Sequence, residues 1–231
     1  MSEIYPVPPS MKARTLIDEA TYDSMYQRSI ADPDGFWADQ ASAFLNWQQP
    51  WQTVSEADIP SGDIRWFVGG QLNVSVNGEQ LSRSVSPRLS LADFLRSDLE
   101  LTGTHLACEH GACGACTVQV NGEMVRGCLM LAVQANGCEV RTIEGLADSG
   151  ALSDLQDAFH RRNSLQCGFC TAGMLMTAHE LLQHVAHPSR QEIREYLAGN
   201  YCRCTGYEAI VDAIEQVAKA RADNRQGEQR V

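Results

Sequence analysis

Cysteine is the residue type that most constrains how this 231-residue chain can fold. Eight of its nine cysteines fall into two groups with short internal spacings. The first group is Cys108, Cys113, Cys116 and Cys128, and the second is Cys167, Cys170, Cys202 and Cys204. A fold that gathers the thiols of one group must provide a tight loop and a segment that returns to it. We therefore expect the chain to fold around two separate cysteine sites.

The first group has the spacing Cys-x4-Cys-x2-Cys, and its fourth cysteine follows after eleven further residues. Gly111 and Gly114 lie between the first three cysteines, where they let the backbone turn tightly and approach a bound group closely. The Asn-Gly pair at residues 121–122 predicts a hairpin that returns Cys128 to the side of Cys116. Such a loop suits a 2Fe–2S cluster, which needs thiolate ligands and nearby backbone N–H groups. Zinc is the alternative, although zinc sites more often contain two Cys-x2-Cys pairs.

The second group combines two spacings. Cys167 and Cys170 are three residues apart and share one face if they begin a helix. Cys202 and Cys204 are two residues apart, which a helix cannot align, so we expect them in a turn. A cluster held there would lie between two helix starts, whose N–H groups favour negative charge. Zinc remains open for this group too, and Cys138, which belongs to neither group, is interpreted as a structural or partly exposed thiol.

The hydrophobic pattern divides the chain into an N-terminal extension, two domains and a tail. Residues 1–63 show helical spacing and end in a polar stretch, 55–63, that predicts a linker. Residues 64–146 alternate with the period of strands, with Asn-Gly turns and a short helix capped by Ser90. Residues 147–222 have the pattern of helices, and residues 223–231 form a polar tail. The predicted helices lie at about 153–162, 168–185, 190–198 and 207–222, with capping boxes at Ser153 and Ser189.

Charge and hydropathy exclude several functions. The formal net charge of −11 argues against nucleic acid, whose phosphates bind basic surfaces. No run reaches the 18 or so apolar residues of a membrane span. The first ten residues lack the features of a signal peptide, so the cysteines are interpreted as reduced ligands and the protein is expected in the cytoplasm.

Three stretches carry a family resemblance: Cys108-Glu-His-Gly-Ala-Cys113-Gly-Ala-Cys116-Thr117, Gln166-Cys167-Gly168-Phe169-Cys170 and Cys202-Arg203-Cys204-Thr205-Gly206-Tyr207. With them, the chain resembles the iron–sulfur subunit of the molybdenum hydroxylases, the family of xanthine dehydrogenase and aldehyde oxidoreductase. The resemblance runs from about residue 71 to 220. It implies an α+β fold, in which a plant-ferredoxin-like β-grasp domain precedes an all-α four-helix 2Fe–2S domain.

The resemblance also implies a function. The chain would be the electron-transfer subunit of a heteromeric oxidoreductase that acts on an aldehyde, a purine or another N-heterocycle. It would carry two 2Fe–2S clusters but no substrate site, with molybdopterin in a large partner subunit and FAD in a medium one. The second cysteine group would lie nearer molybdenum, and Gln166 matches the position that hydrogen-bonds the pterin, unless it is a polar residue at a helix start. The alternatives are a free-standing 2Fe–2S electron carrier and a non-redox zinc-binding scaffold.

The N-terminal extension carries a second resemblance. Tyr5-Pro6-Val7-Pro8, Gly35-Phe36-Trp37 and Trp66-Phe67-x-Gly69-Gly70-x-Leu72 resemble the N-terminal region of acetyl-CoA synthetases. None of the adenylate-forming body follows, so ligase activity is not implied. A docking element, a capping element and a remnant of gene fusion remain open.

Overall fold

The computed structural model describes residues 7–45 and 47–228. Tyr5 and Pro6 of the N-terminal resemblance, and residues 229–231 of the predicted tail, lie outside these ranges. Within them the chain forms an N-terminal helical and hairpin extension, a five-stranded sheet and a group of helices. None of the helices in these ranges is long and apolar enough to cross a membrane.

The extension consists of three helices followed by one hairpin. Its elements are α1 Pro9–Lys12, α2 Glu19–Ala31, α3 Pro33–Phe44, β1 Thr53–Asp58 and β2 Asp63–Val68. Aspartates begin the two longer helices, because a carboxylate can accept the N–H groups that the first turn leaves unpaired. Asp18 accepts from the N–H of Thr21 at 2.8 Å, and Asp32 accepts from that of Gly35 at 3.1 Å.

The hairpin contradicts the linker that the composition predicts at residues 55–63. β1 and β2 pair antiparallel, with Thr53 opposite Val68 at the open end. Pro60 and Gly62 lie in the connecting turn instead of a flexible segment. The prediction was wrong because turns and linkers share the same polar, proline- and glycine-containing composition. The hairpin also crosses the predicted domain boundary at residue 63.

The sheet is built from two hairpins joined by a central strand. Its strands are β3 Leu72–Val76, β4 Glu79–Arg83, β5 Thr117–Val120, β6 Glu123–Arg126 and β7 Glu139–Arg141. The order is β4-β3-β7-β5-β6, with β3 and β7 parallel and the other neighbours antiparallel. Both Asn-Gly hairpins are therefore confirmed. After β7 ends at Arg141, a helix begins at Ile143.

One face of the sheet is covered by the short helix α4, Leu91–Asp93, which continues as a π-helical turn over Phe94–Asp98. Ser90 caps it as predicted, because its hydroxyl accepts the N–H of Asp93 at 3.0 Å. Phe94 and Leu95 are almost completely buried against the strands. This packing anchors the segment that leads into the first cysteine loop.

The C-terminal part is helical, with elements α5 Ile143–Asp148, α6 Ser153–Arg161, α7 Thr171–His184, α8 Arg190–Tyr196 and α9 Glu208–Glu228. They enclose a core of their own that includes Phe159 and Ile214. The capping box at Ser189 is formed, but the one predicted at Ser153 is not. The Ser153 hydroxyl instead donates to the carbonyl of Gly150 at 3.0 Å, because the preceding turn brings that acceptor within reach. Part of the predicted polar tail continues α9 to Glu228.

Neither buried core contains a residue of the extension, since the first member in sequence is Val74. The extension meets the sheet through polar contacts, among them the donation from Asn73 Nδ2 to Gln48 Oε1 at 2.6 Å. We therefore expect removal of residues 1–70 to change the free energy of unfolding of the remaining chain by no more than about 1 kcal/mol. Thermal unfolding of the two purified chains, with iron content as the second readout, measures this. Loss on truncation of the iron expected at the two cysteine groups would show that the extension is part of the fold.

Candidate metal centres

The first cysteine group is assembled by the β5–β6 hairpin. Cys116 directly precedes β5, and Cys128 follows β6 by two residues. The ladder extends past the strands, because the N–H of Gly127 donates to the carbonyl of Cys116 at 3.0 Å. This register brings Cys128 back beside Cys116, as the hairpin prediction required, and close enough for its thiol to raise the pKa of Cys116.

The other two cysteines of this group lie in the same loop, where the N–H of Cys113 points at the sulfur of Cys108 at 3.4 Å. Hydrogen bonds from the N–H groups of His110, Cys113 and Ala112 lower the pKa of Cys108 to about 6. Burial raises the pKa of Cys116 to about 11, with its neighbour Cys128 adding to the effect. The loop thus favours the thiolate form of Cys108, whereas burial favours the neutral thiol of Cys116.

The second group joins two loops of the helical part. Cys170 is the N-cap of α7 and Cys167 lies three residues before it, so the helix begins later than residue 168. Cys202 and Cys204 lie in the turn before α9. The sulfurs of Cys167 and Cys204 are 3.5 Å apart, and Cys202 lies close enough to Cys170 to raise the pKa of that thiol.

Thr205 and Tyr207 shape the turn that carries Cys202. The Tyr207 hydroxyl accepts from the N–H of Cys202 at 2.8 Å and donates to the carbonyl of Asn200 at 3.3 Å. The Thr205 hydroxyl donates to the sulfur of Cys202 at 3.1 Å. Burial raises the pKa of Cys202, but the hydrogen bonds from Thr205, from the N–H of Cys204 and from Cys170 together leave that pKa below its ordinary value. Burial raises the pKa of the opposing Cys170 to about 12.

The contacts arrange each group as two pairs of cysteines. The pairs are Cys108 with Cys113, Cys116 with Cys128, Cys167 with Cys204, and Cys170 with Cys202. Across the described ranges, no three His, Cys, Asp or Glu side chains gather closely enough to hold a single metal ion. A tetrahedral zinc site would require such convergence, with Zn–S distances of about 2.3 Å. Two pairs per group suit a binuclear cluster, in which each iron takes two protein ligands.

The sequence matches three protein families. Residues 74–141 match the 2Fe–2S iron-sulfur cluster binding domain, and residues 142–215 match the 2Fe–2S binding domain. Residues 22–78 match the acetyl-coenzyme A synthetase N-terminus, which confirms the second resemblance.

Individual relatives are similar over the same part of the chain. Caffeine dehydrogenase subunit gamma of Pseudomonas sp. (strain CBB1) is 55% identical over 150 residues, which cover 64% of this chain and 90% of that protein. The nicotine 6-hydroxylase small subunit of Paenarthrobacter nicotinovorans is 54% identical, with coverages of 62% and 87%. This chain belongs to the iron–sulfur small subunits of the molybdenum hydroxylases. A chain of quinoline 2-oxidoreductase from Pseudomonas putida 86 superposes on this small subunit with a TM-score of 0.63 and 51% identity, covering 67% of this chain and 96% of that one.

The small subunit is therefore an electron carrier within an oxidoreductase complex, and it contains two 2Fe–2S binding domains. The donors present fit that cofactor, since each group offers four cysteine sulfurs, the soft ligands that iron–sulfur clusters take. All nine cysteines are free thiols, and no disulfide competes for them in the described part of the chain.

Gln166 lies beside the second group, and its side chain hydrogen-bonds to the backbone of this chain. Its side-chain Nε2 donates to the carbonyl of Cys204 at 3.0 Å, and the residue is exposed in the loop before α7. This hydrogen bond links the loop that carries Cys167 to the turn that carries Cys204. Gln166 is thus not at a helix start, and its predicted contact with a pterin remains a prediction.

Sequence reasoning missed the residues that connect the two groups. Neither Asn200 nor Arg126 is among the residues that the cysteine spacing or the family resemblance indicates. In the structure, Arg126 Nη2 on β6 donates to the carbonyl of Gly199 at 2.9 Å and to Asn200 Oδ1 at 3.3 Å. The only sequence signal was proximity, since each residue lies two positions before a cysteine of a group.

Proposed function

We propose that each cysteine group is the complete ligand set of one 2Fe–2S cluster. The ligands are Cys108, Cys113, Cys116 and Cys128 for one cluster, and Cys167, Cys170, Cys202 and Cys204 for the other. The observation that carries this proposal is that each group brings its four cysteines side by side from separate parts of the chain, linked two by two. When bound, such a cluster takes up and releases one electron at a time.

The proposed domains follow the two cores. Residues 64–146 would form a plant-ferredoxin-like β-grasp domain, and residues 147–222 an all-α four-helix 2Fe–2S domain. The separation of the sheet core from the helical core supports this division. Leu146, at the end of the first range, packs in the helical core, so we propose moving the boundary to Ile143, where α5 begins.

The partners we propose are a large subunit with molybdopterin at the second group and a medium subunit with FAD at the first. The exposure of the second group supports the proposed contact with the large subunit. Cys167 and Cys204 are exposed there, beside Leu165 at 38% and Phe169 at 45% exposure. Apolar side chains next to exposed ligands are the composition expected of a surface that a partner covers. Gln166, on the same loop, would then be available to the pterin.

The substrate class we propose for the complex is an N-heterocycle, and the compartment is the cytoplasm, where thiols stay reduced. Similarity supports the substrate class. The small subunits of caffeine dehydrogenase and nicotine 6-hydroxylase are 55% and 54% identical, whereas the aldehyde oxidoreductase subunit of Escherichia coli (strain K12) is 41% identical. The choice among heterocycles is made in the large subunit.

The test is the metal content of the native complex, purified through this chain from its own cells. We expect one molybdenum for about four irons, together with two larger polypeptides, because each cluster contributes two irons. Turnover of an N-heterocycle in preference to an aldehyde would support the substrate class. Iron without molybdenum or partners would instead indicate a free-standing carrier, and zinc without iron a scaffold.

A further inference from the structure

Two consecutive residues of the first cysteine loop hydrogen-bond to two consecutive residues that precede Cys202 of the second group. The carbonyl of Cys113 accepts the N–H of Tyr201 at 2.8 Å, and the carbonyl of Gly114 accepts Nδ2 of Asn200 at 3.2 Å. Cys113 belongs to the first group, and Tyr201 is bonded directly to Cys202 of the second. One hydrogen bond therefore connects a cysteine of one group to the neighbour of a cysteine in the other.

The backbones at this contact have no side chains between them. A Cβ added to Gly114 would lie 2.4 Å from the carbonyl oxygen of Gly199, and one added to Gly173 would lie 2.3 Å from that of Gly114. Real Cβ atoms do not approach oxygen so closely. The separation of the loops is therefore set by main-chain contact and by the side chain of Asn200.

Asn200 is 1% exposed, and hydrogen bonds to its neighbours fix the orientation of its side-chain amide. Its Oδ1 accepts from Thr177 Oγ1 at 3.1 Å and from Arg126 Nη2 at 3.3 Å. Arg126 can only donate and the carbonyl of Gly114 can only accept, so Oδ1 must face Arg126 and Nδ2 must face Gly114. Thr177 lies on α7 and Arg126 on β6, so this one side chain binds elements of both domains.

We propose that Asn200 is a positioning residue, which fixes the separation of the two iron–sulfur sites by holding the carbonyl of Gly114. The inference rests on the proposed ligand sets and adds a role to a residue that is not a ligand. Electron exchange and spin interaction between two centres both fall steeply with distance. The hydrogen bond from Asn200 is therefore expected to control both.

An isosteric variant isolates this bond. Asn200→Asp keeps an acceptor for Thr177 and Arg126 but removes the donor to Gly114, and the nearby guanidinium favours the ionised carboxylate. A carboxylate facing a carbonyl repels it, which pushes the loops apart. Thr177→Val removes only the contact on the helical side, and Asn136→Asp makes the same chemical change at an asparagine that accepts the N–H of Asn73.

The experiment measures iron content, then the EPR splitting that arises between the two reduced clusters in the full chain. We expect Asn200→Asp to retain the iron of both clusters and to show a narrower splitting, while Thr177→Val and Asn136→Asp keep the wild-type splitting. Asn200→Ala, which removes the donor without adding charge, should narrow it too. Wild-type splitting in both Asn200 variants would overturn the inference. A wild-type chain that lacks one cluster would overturn the proposed ligand sets, and this inference with them.

Discussion

Replacing Cys113 with serine is expected to abolish one of two EPR signals and to remove about half of the cluster iron, because each cluster contributes two irons. A serine hydroxyl is a hard and weakly acidic donor, whereas these sites select soft thiolates. The change should not spread to the second group. The link between the groups at this position uses the carbonyl of Cys113, which accepts from Tyr201 at 2.8 Å and which serine retains.

Cys138→Ser is the matched control for this experiment. Cys138 lies at the start of β7, and its sulfur approaches the carbonyls of Gln134 and Asn136 at 3.8 and 3.9 Å, away from both groups. Both EPR signals should survive in this variant. If Cys113→Ser removed both signals, the two sites would depend on each other for assembly, and the proposal of independent ligand sets would be wrong.

The parts of the fold that follow from local chemistry could be predicted from the sequence. Both Asn-Gly turns form, with Asn77 and Asn121 at positive φ, because asparagine and glycine tolerate the left-handed backbone that such turns require. The helix caps at Ser90 and Ser189 form for a similarly local reason. Each of these signals depends on residues within four positions of one another.

The membership of the cysteine groups was predictable, but their pairing was not. Spacing alone shows that Cys108 to Cys128 belong together. That Cys116 contacts Cys128 depends on one hydrogen bond of an extended ladder, from Gly127 to Cys116. The opposite shifts in the pKa values of Cys108 and Cys116 depend on which N–H groups point at each sulfur and on burial. Such properties arise from tertiary packing.

The predictions that failed did so for two different reasons. The hairpin of β1 and β2 was missed because its polar turn has the composition of a linker. The role of Asn200 was missed because its three side-chain partners come from distant parts of the chain, at Gly114, Arg126 and Thr177. A single sequence contains no signal that relates these positions.

Replacing Gly114 with alanine should destabilise the protein by roughly 3 kcal/mol. Gly114 has a φ of +74°, and an alanine in that region costs about 1–2 kcal/mol. The added Cβ would also lie 2.4 Å from the carbonyl oxygen of Gly199, and forcing such backbones apart costs about 1–3 kcal/mol. Both contributions arise at residue 114, and the steric one is relieved only if the two loops move apart. Denaturation of the iron-loaded full chain, followed by its visible absorption, measures the loss.

Two other glycines separate these contributions. Gly137 has the same φ of +74° but nothing within 4 Å of an added Cβ, so Gly137→Ala should cost only the backbone term. Gly173 lies in α7, and its added Cβ would meet the carbonyl of Gly114 at 2.3 Å, so Gly173→Ala should cost mainly the steric term. Gly114→Ala should therefore be worse than either variant alone. If it were no worse than Gly137→Ala, the loops would yield easily at this point, and the close contact between the two cysteine groups would not constrain their separation.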